Sequence, residues 1–335
     1  MKNGDRTWQQ SLRRWLPGLL LSLLAIALLL RLTDWRDVQK ALSSIELHRL
    51  LLAVLLFLMS IFSRSLGWSS LLQDRAPLPR VFLALNEGYL LNNIFPFRLG
   101  EIGRAVLLGQ SSGLSPLYVI STIVIERAFD LGIAAGLLLA TLPLVLGFTA
   151  ARPIALATLG FVVIGLFALY LAARYRERLQ AWFETWKYMP GWALPRLNSL
   201  LEGFGALARP SRFLLGAILI AGSWAFGVLE TYTLLNSGMF SAPFWWTGFV
   251  LGVLSLGVAL PSAPASLGVY EAAIVGALSL LKVSPADALA FAVVLHLIQI
   301  VSTGSIGVYA LAQDGETISG LYSRVRESLR EFSAG

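Results

Sequence analysis

The sequence predicts an all-α, polytopic membrane protein built from two inverted repeats, with about six spanning helices and two re-entrant helical hairpins. Three observations carry this prediction. Of the 335 residues 56% are hydrophobic and only 13% charged, with a mean hydropathy of +0.72, whereas soluble domains carry about a quarter of their residues as charges. Apolar stretches near the roughly 20 residues a helix needs to cross a bilayer recur along the chain. Two further apolar regions are broken by Pro-Gly loops at corresponding places in the two halves.

The clean stretches run over 16–30, 50–72, 116–148, 153–173, 213–235 and 285–311. The first follows Arg13 and Arg14 and continues as RLTDW without a small-residue cleavage pattern, so it reads as an uncleaved span. The broken regions are 81–108, interrupted by NNIFPFRLGE, and 244–281, interrupted by LPSAPASLGVYE. Orientation follows from Lys and Arg bias. The N-tail, the 73–80 loop, the 174–212 segment and the C-tail are strongly basic, while the other loops hold few basic residues, partly neutralised by Asp34, Asp37 and Glu46. The basic segments are therefore expected in the cytoplasm. This forces 81–108 to enter and leave from inside, and 244–281 from outside.

The order span, hairpin, span thus occurs twice with opposite hand. Pro96-Phe-Arg-Leu-Gly100 and Pro264-Ala-Ser-Leu-Gly268 echo each other in the two hairpin tips. Broken helices at matching places in inverted repeats are the best sequence pointer to a transporter's binding site. Each helix that follows Gly100 or Gly268 is expected to start inside the membrane, with N–H groups that attract an anion such as a phosphate. Packing of the two tips on each other is the plainer alternative.

Arg64, Glu87, Arg98, Glu101, Arg104, Glu126, Arg127, Asp130, Glu230 and Glu271 all fall in apolar surroundings, where an unpaired charge costs about 3 kcal/mol or more. Arg127 and Asp130 are three apart and can pair, and Glu126 and Asp130, four apart, look the same way. For Arg98, Arg104 and Arg127 two readings stay open. One is recognition of a phosphate by a planar donor fork; the other is neutralisation of Glu101, Glu126 and Asp130 to hold the hairpin in place. Arg64 and Glu230 sit in the spans that open the two repeats, and pseudo-symmetry predicts that they meet in a central cavity. Glu271 is expected to cap the helix after the second tip, with contact to a cationic head group as its other reading. His296 and Gln299 share a face of the last span, where an interhelical hydrogen bond is expected rather than metal binding or proton relay. Gly132 with Gly136, and Gly248 with Gly252, read as helix-packing contacts.

No cysteine is present, which excludes thiolate metal sites and cysteine nucleophiles. Two histidines, without an HExxH, P-loop or GxGxxG pattern, offer no metal or nucleotide site. The net charge of +7 sits beside hydrophobic spans, so anionic lipid rather than nucleic acid is the expected partner. Between the repeats, Leu179, Trp182, Phe183 and Trp186 alternate with Arg176, Arg178 and Lys187 as in interfacial amphipathic helices.

At NNIFPFRLGEIGRAVLL, IERAFDLG and PSAPASLGVYE the chain resembles the family of the lysylphosphatidylglycerol synthase transmembrane region, a flippase-like domain also found as stand-alone membrane proteins. The resemblance covers about 15 to 315 and rests at Asn92, Pro96, Arg98, Gly100, Glu101, Arg104, Glu126, Arg127, Asp130, Pro264, Gly268 and Glu271. One departure is in PSAPASLG: where the family form is similar to P-x-P-G-x-x-G, Ala265 replaces a glycine. The resemblance implies a single flippase-like membrane domain over 16–315, with repeat one at about 50–148, a connector at 174–212 and repeat two at about 213–311. Short cytoplasmic tails, 1–15 and 316–335, flank it, and the aminoacyl-transferase domain fused in some members is not expected. The leading expectation is a lipid flippase-like transporter of the inner membrane, not an enzyme, with no cofactor or metal. Its substrate is expected to be a phospholipid with an anionic or aminoacylated head group, or a lipid-linked head group. Arg64, Asn92, Arg98, Gly100, Glu101, Arg104, Glu126, Arg127, Asp130, Glu230, Gly268 and Glu271 are the expected substrate-binding residues. Two alternatives stand beside it: a non-catalytic partner of a lipid synthase or glycosyltransferase, and an embedded transferase with Glu126, Asp130 or Glu101 as base or metal ligand. A homo-oligomer is a further candidate assembly.

Overall fold

The computed structural model describes residues 20, 22–95, 99–147, 174–185, 193–238, 241–259, 262–315, 317 and 320, with isolated positions between 153 and 171. The helices among them are α1 (Ser22–Leu32), α2 (Trp35–Ser43), α3 (Leu47–Leu71), α4 (Leu78–Ile94), α5 (Leu99–Ser112), α6 (Pro116–Leu146), α7 (Arg176–Glu184), α8 (Ala193–Phe204), α9 (Pro210–Leu235), α10 (Trp245–Val258), α11 (Val269–Leu280) and α12 (Pro285–Gln313). No strand occurs among the described residues. α6, α9 and α12 begin on proline, where the missing N–H is one the first turn leaves unpaired in any case.

Among the described residues four helices, α3, α6, α9 and α12, are long and apolar enough to cross a bilayer. Six were expected. Of the stretch at 16–30 only residue 20 and 22–30, within α1, are described, and 153–173 falls outside the described residues apart from isolated positions. The broken regions fold as two hairpins, α4–α5 and α10–α11. Neither α5, α10 nor α11 exceeds 14 residues, about 21 Å of helix against roughly 30 Å of hydrocarbon.

The two repeats meet through their opening spans. Ser60 Oγ donates to the Ser223 carbonyl at 2.8 Å, Ser63 Oγ to Leu219 O at 2.7 Å and Ser70 Oγ to Arg212 O at 3.0 Å. This register runs α3 antiparallel to α9. Equivalent helices that meet antiparallel along their length are related by an axis across them, which is an axis in the membrane plane. A Cβ on Gly67 would lie 3.0 Å from Ile220 and 3.3 Å from the Gly216 carbonyl, the small-residue approach that drives helix association in lipid. Each hairpin then packs on the other repeat's last span. Asn93 Nδ2 donates to Thr303 Oγ1 at 3.2 Å, setting α4 against α12. Gly248 and Gly252 set α10 against Thr141 and Leu138 of α6, where a Cβ at Gly252 would come within 2.9 Å. Gly136, expected to make such a contact, has no heavy atom in reach of an added Cβ.

Polar contacts fix the two faces. Arg75 pairs with Glu202 at 2.7 Å, Arg212 with Asp74, and Arg80 with Asp314 at 3.2 Å and Ser111 at 2.8 Å. The 73–80 loop, the end of hairpin one, the α8 region and the end of α12 therefore share one face. On the other, Glu46 N–H donates to Ser237 O at 2.9 Å, and Val38 and Ala41 of α2 share a core with Ala288 and Leu289 of α12. Leu297, Val301 and Val308 of α12 and Leu214 and Ile218 of α9 stay exposed, as suits a lipid-facing surface.

Candidate functional site

Glu126 and Asp130 share a face of α6 with Arg127 beside them, and the helices around it converge on them. From α3, Arg64 Nη1 reaches Glu126 Oε1 at 2.9 Å and Asp130 Oδ2 at 3.0 Å, and Nη2 reaches Asp130 Oδ1 at 2.9 Å. From α5, Arg104 Nη2 lies 3.0 Å from Glu126 Oε2, and its guanidinium covers the Trp68 ring at 4.5 Å. Trp224 Nε1 of α9 donates to Asp130 Oδ1 at 2.8 Å. Arg127 touches Glu126 at 2.6 Å, Asp130 at 3.4 Å and Glu101 at 3.7 Å. Three guanidiniums face three carboxylates, so the cluster is neutral and its members avoid the cost of isolated charge in an apolar medium. The expected Arg127–Asp130 pair is present. Arg104 is 2% exposed, which makes it a neutralising partner beneath the surface; Arg98, with Pro96, lies outside the described residues.

Arg64 and Glu230 do not pair. The antiparallel register that sets Ser60 beside Ser223 carries Glu230 further along α9, toward the start of α3, while Arg64 turns to the acids of α6. At each helix start one amide is held by a side chain. The N–H of Gly100 donates to Asn92 Oδ1 at 2.8 Å and that of Gly268 to Glu271 Oε2 at 2.7 Å. These two amides are occupied by side chains of their own hairpin. Gly100 is also wedged against the Gly88 carbonyl, so its role is close approach of α5 to α4.

Glu271 caps α11, as expected, and its other oxygen lies 2.6 Å from His296 Nδ1, with Tyr270 stacked on the imidazole at 3.9 Å. His296 thereby ties tip two to α12 through the expected interhelical bond. α1 docks on the same tip: Ala263 N–H donates to Ser22 Oγ at 3.0 Å.

Between the tips lies a cavity in two adjoining lobes of about 300 and about 590 Å³, which share Tyr89, Glu101, Arg127, Tyr270 and Gln299 in their walls. Volumes of this order suit a small molecule or a head group. The smaller lobe is walled by Asn92 and Asn93 of tip one and by Ser262 and Ser266 of tip two. The larger reaches Arg64, Asp130 and Glu230. Among the described residues of the wall Arg127 is the more accessible arginine: its side chain is 35% exposed, against 14% for Arg64, although its unpartnered Nε–H is buried. Of the expected site residues, Arg64, Asn92, Glu101, Arg127, Asp130 and Glu230 line the cavity, while Arg104, Glu126, Gly100, Gly268 and Glu271 stand behind its walls.

Tyr89, Tyr270, Trp224 and the tip-two serines escaped sequence reasoning. His296 did carry a signal. It is the twelfth residue of α12, as Arg127 is of α6, so the repeat itself points to it. Among the described residues no group of three His, Cys, Asp or Glu is placed to hold a metal.

Fold and cavity together define a multi-pass helical membrane protein of inverted-repeat type with a polar site between two re-entrant tips. The chain belongs to the family described as the lysylphosphatidylglycerol synthase TM region, whose model matches residues 15–307. No curated protein is matched by the chain.

Proposed function

We propose that this protein moves a phospholipid or lipid-linked head group between leaflets, as a flippase-like transporter of the inner membrane with both termini in the cytoplasm. The observation that carries the reading is the polar cavity walled by both hairpin tips where the inverted repeats cross. Such repeats suit alternating access, one half rocking against the other about a central site. Arg127 offers a guanidinium to a head-group phosphate, with Glu101 beside it to receive an amine. The reading requires no bond chemistry, and it fits that Glu126 and Asp130 are engaged by arginines rather than held as bases. Arg75, Arg80, Arg209 and Arg212 mark the face assigned to the cytoplasm.

The test is reconstitution in liposomes with labelled anionic, zwitterionic and aminoacylated lipids. Leaflet exchange above the protein-free rate is expected for at least one of them. Arg127→Ala is expected to slow it roughly tenfold, the worth of one charge-assisted hydrogen bond. Exchange at the protein-free rate for all three lipids would remove the reading, and exchange indifferent to Arg127→Ala would move the head-group site elsewhere.

A further inference from the structure

We infer that Glu230 is a proton-carrying site and that transport through the cavity is coupled to proton movement; the coupling rests on the lipid-transport reading, whereas the proton site stands without it. Glu230 lies on α9, about a turn and a half before the helix ends at Leu235, toward the face opposite the basic one. It lines the larger lobe yet is only 5% exposed, and its Oε1 is buried without a hydrogen-bond partner. The hydroxyl of Thr231 beside it is likewise buried and unpartnered.

The charged and titratable groups around the cavity are Arg64 on α3, Tyr89 on α4, Glu101 on α5, Arg127 and Asp130 on α6, Tyr270 on α11 and His296 on α12. The arginines are matched by Glu101, Glu126 and Asp130, and His296 by Glu271, so among the described residues no positive charge is left over. Among the described residues no salt bridge reaches Glu230. Tyr270, on the wall of the same lobe, is a phenol and brings no cation.

An ionised carboxylate left in this state costs several kcal/mol. A proton removes the cost and needs no space. A head-group ammonium needs a wider opening than 5% exposure provides. Glu230 takes a proton from water when the cavity opens to the face opposite the basic one, and returns it to water when the repeats rock to the other side.

Two measurements separate the proton site from the coupling. Infrared titration of the protein in lipid nanodiscs is expected to show a protonated-carboxyl band at neutral pH that Glu230→Gln removes. Identical neutral-pH spectra for the two proteins overturn the proposal. In proteoliposomes, a gradient of about one pH unit is expected to hold labelled lipid at up to about tenfold leaflet asymmetry, and Glu230→Gln to lose that asymmetry. Exchange that ignores the gradient in the unaltered protein overturns the coupling. Absence of exchange from the unaltered protein removes the lipid-transport reading instead, and the infrared result then decides the proton site alone.

Discussion

Glu126 shows how a membrane interior prices a single side chain. Its carboxylate is fully buried and in contact with Arg64, Arg104 and Arg127, which come from three different helices. Glu126→Gln leaves these guanidiniums one negative charge short, and removal of one partner from a buried pair costs about 3–5 kcal/mol. A matching loss is expected in detergent unfolding curves. Glu202 is the control: it pairs with Arg75 at 2.7 Å, but the two side chains are half and more than a third exposed. Glu202→Gln is expected to shift stability by less than about 1 kcal/mol. Equal effects at the two sites would mean that water reaches the cluster as freely as it reaches the surface. The acids and arginines of this cluster were legible in the sequence because charge stands out against an apolar background. The choice of partner was not, because Arg64 joins residues more than sixty positions away.

At the scale of the element, the two hairpin tips solve the same problem with different residues. Tip one caps its second helix with Asn92 from the helix before it; tip two does so with Glu271 from the helix itself. In tip two Ala265 has φ +54° and Ser266 φ +57°. Left-handed backbone costs a residue with a Cβ about 1 kcal/mol, a cost that a glycine at 265 would remove. Ala265→Gly is expected to leave stability unchanged or raise it by up to about 1 kcal/mol. Gly268, at φ +82° and with an added Cβ only 2.7 Å from the Ser22 carbonyl, is the opposite case. Gly268→Ala is expected to cost about 2 kcal/mol or more and to loosen α1 from the tip. Thermal unfolding of the two variants checks both, and a loss at Ala265→Gly would show that the left-handed turn is not what the glycine serves.

For the whole molecule, the mirrored architecture makes the sharpest demand. The end of hairpin one lies with Arg80, Ser111 and Asp314, whereas Val283 packs in the core that holds α2. The chain contains no cysteine, so single labels are unambiguous. Gly113→Cys and Val283→Cys are expected to react with an impermeant thiol reagent from opposite sides of the membrane. Reaction of both from one side would break the inverted relation between the repeats. The antiparallel contact of α3 with α9, through serine hydroxyls and facing glycines, is what holds the halves in that relation.

Hydropathy, basic-residue bias and the paired P-x-x-L-G tips were enough to determine a helical membrane protein with two hairpins of opposite hand. These are local properties, since lipid imposes its demands on every stretch of chain separately. Only the tertiary structure decided which charges meet. It gave Arg64 to Glu126 and Asp130, occupied the tip amides with Asn92 and Glu271, and left Glu230 on the cavity wall without a counter-charge. For Arg64 and Glu230 the reason is that pairing depends on the register between helices distant in sequence, and the α3–α9 register, held by small residues and hydroxyls, carries Glu230 past Arg64.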